Sequence, residues 1–201
     1  MAEPKRLTLP IDEAQARELR VGDILYLTGQ IFTARDEAHL TMLEAKENGE
    51  TLPFDPGAMA LFHCGPVVRQ AGDGWDVIAA GPTTSVRMEI FEDRFLEAFA
   101  PRIVIGKGGM GDRTQAGLEK VGSVYAHYTG GAGALAAKRI EQVEDVHWLD
   151  ELGMPEAAWI FAVKDFGPLL VTMDSAGGNL YKDLEPKIAA NLEAIRARIE
   201  G

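Results

Sequence analysis

One cysteine, Cys64, stands in a chain of 201 residues. A lone cysteine excludes an intrachain disulfide. It also excludes a zinc or iron–sulfur site made from this chain's cysteines alone. No apolar run approaches the roughly 20 residues of a membrane span. Met1 to Arg20 is polar and charged, without an apolar signal core, so the expected compartment is the cytoplasm and no membrane partner is expected. Cations are in the minority: 20 Lys and Arg against 31 Asp and Glu leave a formal charge of −11. That balance argues against non-specific nucleic-acid binding, which needs clustered cations to neutralise phosphates. It leaves small anions open as ligands, because a site can be locally positive in an acidic protein. The spacing also lacks a nucleophile triad, a paired-carboxylate motif and a metal-ligand cluster.

What is present is ordinary for a soluble globular chain, with 46% hydrophobic and 25% charged residues. The length fits one domain spanning 1–201. Short strands are expected at Arg6–Leu9 and Asp23–Thr28, with helical spacing over Ile11–Arg20 and Arg35–Asn48. A β-rich section follows at Ala60–His63, Val67–Gln70 and Trp75–Ala80, and then a helix over Arg87–Ala100. The second half alternates: strand Arg102–Ile105, helix Arg113–Lys120, strand Ser123–Tyr128, helix Ala134–Ile140. Three further strands, Val143–Leu149, Ala157–Lys164 and Leu169–Met173, precede a last helix over Leu184–Ile199, which would keep Pro186 in its first turn. Strand–helix–strand alternation implies a parallel sheet with right-handed crossovers, and the hairpin section adds an antiparallel portion.

Three stretches carry chemistry. In Gly106-Lys107-Gly108-Gly109-Met110-Gly111-Asp112-Arg113, glycines follow a buried strand and precede a helix, and Lys107 and Arg113 add charge. Exposed backbone N–H groups and a helix N-terminus make that pattern an anion cradle. Its Gly-x-Gly-x-x-Gly spacing also fits a dinucleotide loop, but the next strand ends in His127-Tyr128-Thr129, without the acidic residue that would hold a ribose. A glycine turn with no ligand is the bland alternative. Gly81-Pro82-Thr83-Thr84-Ser85-Val86-Arg87 is a polar turn at a helix start; its hydroxyls suit capping, and Arg87 suits a carboxylate. Arg35 and His39, four apart, share a helix face that spacing alone reads as solvated. Cys64, without a spaced partner, reads as a small buried residue.

Taken in order, Ala34-Arg35-Asp36-Glu37-Ala38-His39, His63-Cys64-Gly65-Pro66-Val67, Gly81–Glu89, Gly106–Gly111, Gly153–Ala157 and Asp165–Leu169 running on to Ser175 resemble the β subunit, or the equivalent C-terminal domain, of the iron–sulfur hydro-lyases: class I fumarase and L(+)-tartrate dehydratase. The resemblance covers about Leu7 to Tyr181. It implies a swivelling β/β/α three-layer fold, mainly parallel with an antiparallel portion. It implies reversible hydration of a dicarboxylic 2-hydroxy acid, with a [4Fe–4S] cluster on a partner α subunit as Lewis acid for the substrate hydroxyl. By resemblance, Arg35, Arg87 and Lys107 grip carboxylate oxygens, helped by Thr83 and the Gly108 and Gly109 backbone. Thr83 is the candidate for proton abstraction, with help from a partner carboxylate, since a threonine hydroxyl is too weak a base alone. Thr84, Arg113 and His39 stand as further candidates. The turn Asp174–Gly178 departs from the family, with Ala176 where a long polar residue is common. That departure keeps open a rival reading, a non-catalytic small-anion-binding or interaction protein of the same fold.

Overall fold

The computed structural model describes residues 3–200. Met1, Ala2 and Gly201, which close the expected 1–201 span, lie outside the described residues. In chain order the strands are β1 (Lys5–Thr8), β2 (Ile24–Thr33), β3 (Ala60–Phe62), β4 (Val67–Ala71), β5 (Gly74–Ala79), β6 (Ile103–Gly106), β7 (Val124–His127), β8 (Ile140–His147) and β9 (Ala158–Met173). The helices are α1 (Glu13–Arg17), α2 (Asp36–Glu47), α3 (Glu92–Phe99), α4 (Asp112–Val121), α5 (Gly133–Ala137), α6 (Leu149–Leu152) and α7 (Leu180–Glu200).

β1, β2, β3, β6 and β7 run parallel, each to the next. β9 lies antiparallel to β7, β8 and β2 together, so it closes a ring β2–β3–β6–β7–β9. The three-layer order is written in the alternation of side chains. Ala60, Phe62, Ile103, Ile105, Val124 and Ala126 face one core, with Leu27, Trp159 and Phe161. Leu61, Val104 and Tyr125 face a second core, with Met42, Phe95, Leu96 and Leu118 of α2, α3 and α4. A strand has side-chain period two, so strands buried on both faces must be apolar throughout, as Ile103-Val104-Ile105 is. The mixed seven-stranded sheet thus packs helices on one face and encloses the other core with β9, beside the two-stranded antiparallel β4–β5 sheet.

Several expected boundaries move. The two late strands are one 16-residue strand, β9. The breaker residues Asp165, Gly167 and Pro168 bend it without ending it. Gly167 has φ 156, and a Cβ there would lie 2.5 Å from the Leu25 carbonyl oxygen. The helix expected over Arg87–Ala100 is a 3-10 helix, Ser85–Ile90, then α3, with the break at Phe91. Arg87 therefore sits on the 3-10 segment. A four-residue helix, α6, follows β8 where strand was expected to reach Leu149. The last helix starts four residues earlier than expected, because Asn179 Oδ1 accepts the Tyr181 and Lys182 N–H groups and caps it there. Pro186 is consequently inside α7 rather than in its first turn.

Gly106 ends β6 against the buried Ser85: a Cβ there would stand 1.8 Å from Ser85 Oγ and 2.7 Å from Tyr125 Oη. Gly106→Ala is expected to cost about 3 kcal/mol by overpacking. Urea unfolding checks it, and an unchanged midpoint would contradict the packing described.

Candidate functional site

Because β2, β3, β6 and β7 are parallel, the segments leaving them emerge at one edge: Ala34-Arg35, His63–Pro66, Lys107–Gly111 and Tyr128–Gly131. Ligands of open α/β sheets bind outside these carboxyl ends. The turn after β5 joins them. Cys64 bridges to Pro82, and Thr84 to Lys107. Thr83 N–H donates to the His63 carbonyl at 2.7 Å, and Ser85 N–H to the Lys107 carbonyl at 3.0 Å. The buried Ser85 hydroxyl is a hub. It accepts the Lys107 N–H at 3.2 Å and lies 2.9 Å from both the Tyr125 hydroxyl and His63 Nδ1.

The edge gathers three expected cations. Arg35 pairs with Glu156 at 3.1 Å and lies across Gly65, where a Cβ would stand 2.7 Å from its Nη1. Arg87 pairs with Asp36 at 2.9 Å and is half-exposed. Lys107 runs its stem over Gly130, and among the described residues its ammonium has no ion pair. Gly108, at φ 79, donates its N–H to His127 Nδ1 at 3.2 Å. Gly109 abuts the Tyr181 ring, where a Cβ would be 2.8 Å from the nearest ring carbon. Thr83 is half-buried and Thr84 exposed at the same turn.

Two expected features are placed elsewhere. The α4 N-terminus is not an open anion cradle, because the chain fills it with its own carboxylate. Glu89 accepts the Gly111, Arg113 and Thr114 N–H groups at 2.7, 3.0 and 3.3 Å and the Thr114 hydroxyl at 2.6 Å. A dinucleotide pyrophosphate has no room on those donors. Arg113 itself is held in a bidentate pair with Asp93 at 2.9–3.0 Å, off the edge. α2 is treated similarly, with Glu156 accepting the Glu37 N–H at 3.1 Å. The turn holding Ala176 is also displaced from the edge. Asp174 ties it to Val21 and Gln115, and Gly177 faces Glu119, two turns along α4. The long polar residue missing at Ala176 is therefore missing from a turn beside α4, not from the gathered loops.

His39 is not on a solvated face. It is fully buried, with Nδ1 donating to the Arg35 carbonyl at 2.7 Å. Its Nε2 lies 3.4 Å from Glu92 Oε2, and His63 Nε2 lies 3.2 Å from the same oxygen. All three side chains are fully buried, and neither approach is aligned as a hydrogen bond. Burial pushes the Glu92 carboxyl up, but the two imidazoles outweigh it and hold it at about 2. Burial pushes His63 down, against the pull of Glu92. Spacing did not reveal this set, which comes from α2, the segment after β3, and α3. A usable signal existed: Glu92 shares a helical face with Phe95 and Leu96, which both bury fully. Ser85, Glu89, His127 and Tyr181 were likewise missed as contributors, although Glu89 sits within the motif that ends the polar turn.

Fold and edge together define a three-layer β/β/α domain that presents cations, hydroxyls and glycine backbone at one open edge. Comparison with known proteins gives that class its family. The Fumarase C-terminus family matches residues 3–184, and the chain belongs to it. It is 43% identical over 191 residues to the L(+)-tartrate dehydratase subunit beta of Escherichia coli (strain K12), covering 95% of this chain and 93% of that one. It is 41% identical over 185 residues to the putative L(+)-tartrate dehydratase subunit beta of Methanocaldococcus jannaschii, covering 92% and 95%. A putative fumarate hydratase class I of Geobacillus stearothermophilus is 44% identical over 180 residues, covering 89% of this chain but 34% of that longer one.

Two outcomes check the local chemistry. Glu89→Ala is expected to cost about 1–2 kcal/mol by opening the α4 N-terminus, read by denaturant unfolding. Burial pushes the Cys64 thiol up, so a thiol reagent is expected to modify it only after denaturation. Rapid labelling of the native chain would contradict the buried placement.

Proposed function

We propose that this chain is the β subunit of a [4Fe–4S]-dependent hydro-lyase acting on a dicarboxylic 2-hydroxy acid, with L(+)-tartrate and malate or fumarate as the substrates to test. The observation that carries this reading is Lys107, bridged through its backbone to Thr84 and without an ion pair among the described residues, on the edge shared with Arg35 and Arg87. Three cations against the two carboxylates Asp36 and Glu156 leave one net positive charge there. A dicarboxylate brings two negative charges, so the balance falls to a partner. Family membership and the relatives' names support lyase chemistry and a partner α subunit.

The cluster does not fit this chain. Its single cysteine is buried, its thiol is pushed up by burial, and an iron–sulfur cluster needs several thiolates. This chain's contribution is binding and positioning. Arg35 and Arg87 would exchange part of their pairing with Glu156 and Asp36 for substrate carboxylate oxygens. Lys107 and the Gly108-Gly109 backbone would hold the carboxylate next to the carbon that loses its proton. Negative charge grows on that carboxylate as the C–H bond breaks, so cations fixed there beforehand lower the barrier. The Thr83 hydroxyl would lie by the departing proton, with a partner carboxylate as its acceptor.

Anaerobic co-expression with the cluster-bearing partner is expected to give a complex that dehydrates one of these acids. Lys107→Ala and Arg87→Ala should each lower its kcat/KM by about 100-fold or more without changing cluster content. Turnover by the iron-free chain alone would sink the assignment. Ligand protection without turnover in the loaded complex would favour the non-catalytic anion binder instead.

A further inference from the structure

We propose that His39, His63 and Glu92 bind one divalent metal ion, Zn2+, in a closed site behind the cationic edge. The three ligand atoms lie within 4.8 Å of one another, on side chains that are fully buried. His39 Nε2, His63 Nε2 and both Glu92 oxygens have no hydrogen-bond partner. Three orphaned polar atoms gathered in a core are unusual, because buried polar groups are almost always satisfied.

The outer nitrogens have partners of their own. His39 Nδ1 meets the Arg35 carbonyl at 2.7 Å. A carbonyl only accepts, so Nδ1 carries a proton there, and Nε2 is the nitrogen turned toward Glu92. His63 Nδ1 meets the Ser85 hydroxyl at 2.9 Å, and metal binding at Nε2 would place the ring proton on Nδ1 and turn the Ser85 hydrogen to the Tyr125 oxygen. A metal-ligating histidine characteristically spends its other ring nitrogen on a carbonyl or hydroxyl partner of this kind.

Distances fit the ion. Tetrahedral Zn2+ with bonds of about 2.0–2.2 Å puts its ligand atoms about 3.4 Å apart. Oε2 lies 3.2 Å from one Nε2 and 3.4 Å from the other. Nitrogen and carboxylate donors in a buried site suit Zn2+. The ion would join α2, the segment after β3, and α3. It would thereby tie the Arg35 carbonyl and the Ser85 hub to one anchor. The inference does not rest on the proposed reaction.

The full chain, produced with zinc in the medium and gel-filtered, is expected to carry about one zinc per chain by elemental analysis. Chelation should lower its Tm by several degrees, and Zn2+ but not Mg2+ should restore it. Co2+ in its place should give the visible d–d bands of a four-coordinate ion. Glu92→Gln and His63→Ala should lose both metal and bands; if they do not fold, the wild-type measurements decide. Less than about a tenth of an ion per chain with no thermal response to Zn2+ or Co2+ overturns the proposal. So does metal retained by folded Glu92→Gln and His63→Ala, which would place the ion elsewhere.

Discussion

Strands buried on both faces set the place of everything else in this protein. β3, β6 and β7 send alternate side chains into two separate cores, so neither face can be polar. Chain that must be polar can therefore leave only at strand ends. Four parallel strands bring their exits to the same edge. The gathering of Arg35, His63–Gly65 and Lys107–Gly109 follows from that geometry before any contact between them is considered. β9 seals the arrangement by pairing with β2 and β7 at once.

Electrostatics at the edge are divided between charges the chain uses for itself and charges it leaves facing out. Glu89 and Glu156 take up helix N-terminal donors that an outside anion would otherwise find. Asp93 retains Arg113. These pairings spend the helix-end positive charge on holding α2, α3 and α4 against the sheet. What remains toward solvent is side-chain charge, with Lys107 unpaired among the described residues and Arg35 and Arg87 paired to single carboxylates. These side chains stand on separate loops, and their relative placement depends on how those loops are held. The Ser85 hydroxyl holds them, joining the polar turn to Lys107 and, through His63, to the interior cluster.

Much of the layout was legible in sequence. The apolar run before the glycine loop, the strand–helix alternation and the β-rich middle all follow from local periodicity, which the structure preserves with small boundary shifts. The errors were of one kind. Asp165 to Pro168 look like a strand end, and Arg87 to Ile90 look like α-helix, because breaker and helix signals are local. In the fold, Gly167 is held between β2 and its own strand, and the 3-10 segment is shaped by Ser85 bonding to Lys107. Pro186 falls inside α7 because Asn179 starts that helix earlier.

The sequence by itself determined the layered α/β class, the glycine loop after a buried strand and the family to which its ordered motifs belong, because each is carried by neighbouring residues. Only the tertiary structure decided how charges were paired. It placed Glu89 on the α4 N-terminus, Arg113 on Asp93 and the Ala176 turn beside α4, and it buried His39 with His63 and Glu92. Those partners are far apart along the chain. Charge pairing acts through space, and only the folded backbone brings such groups within a few ångströms.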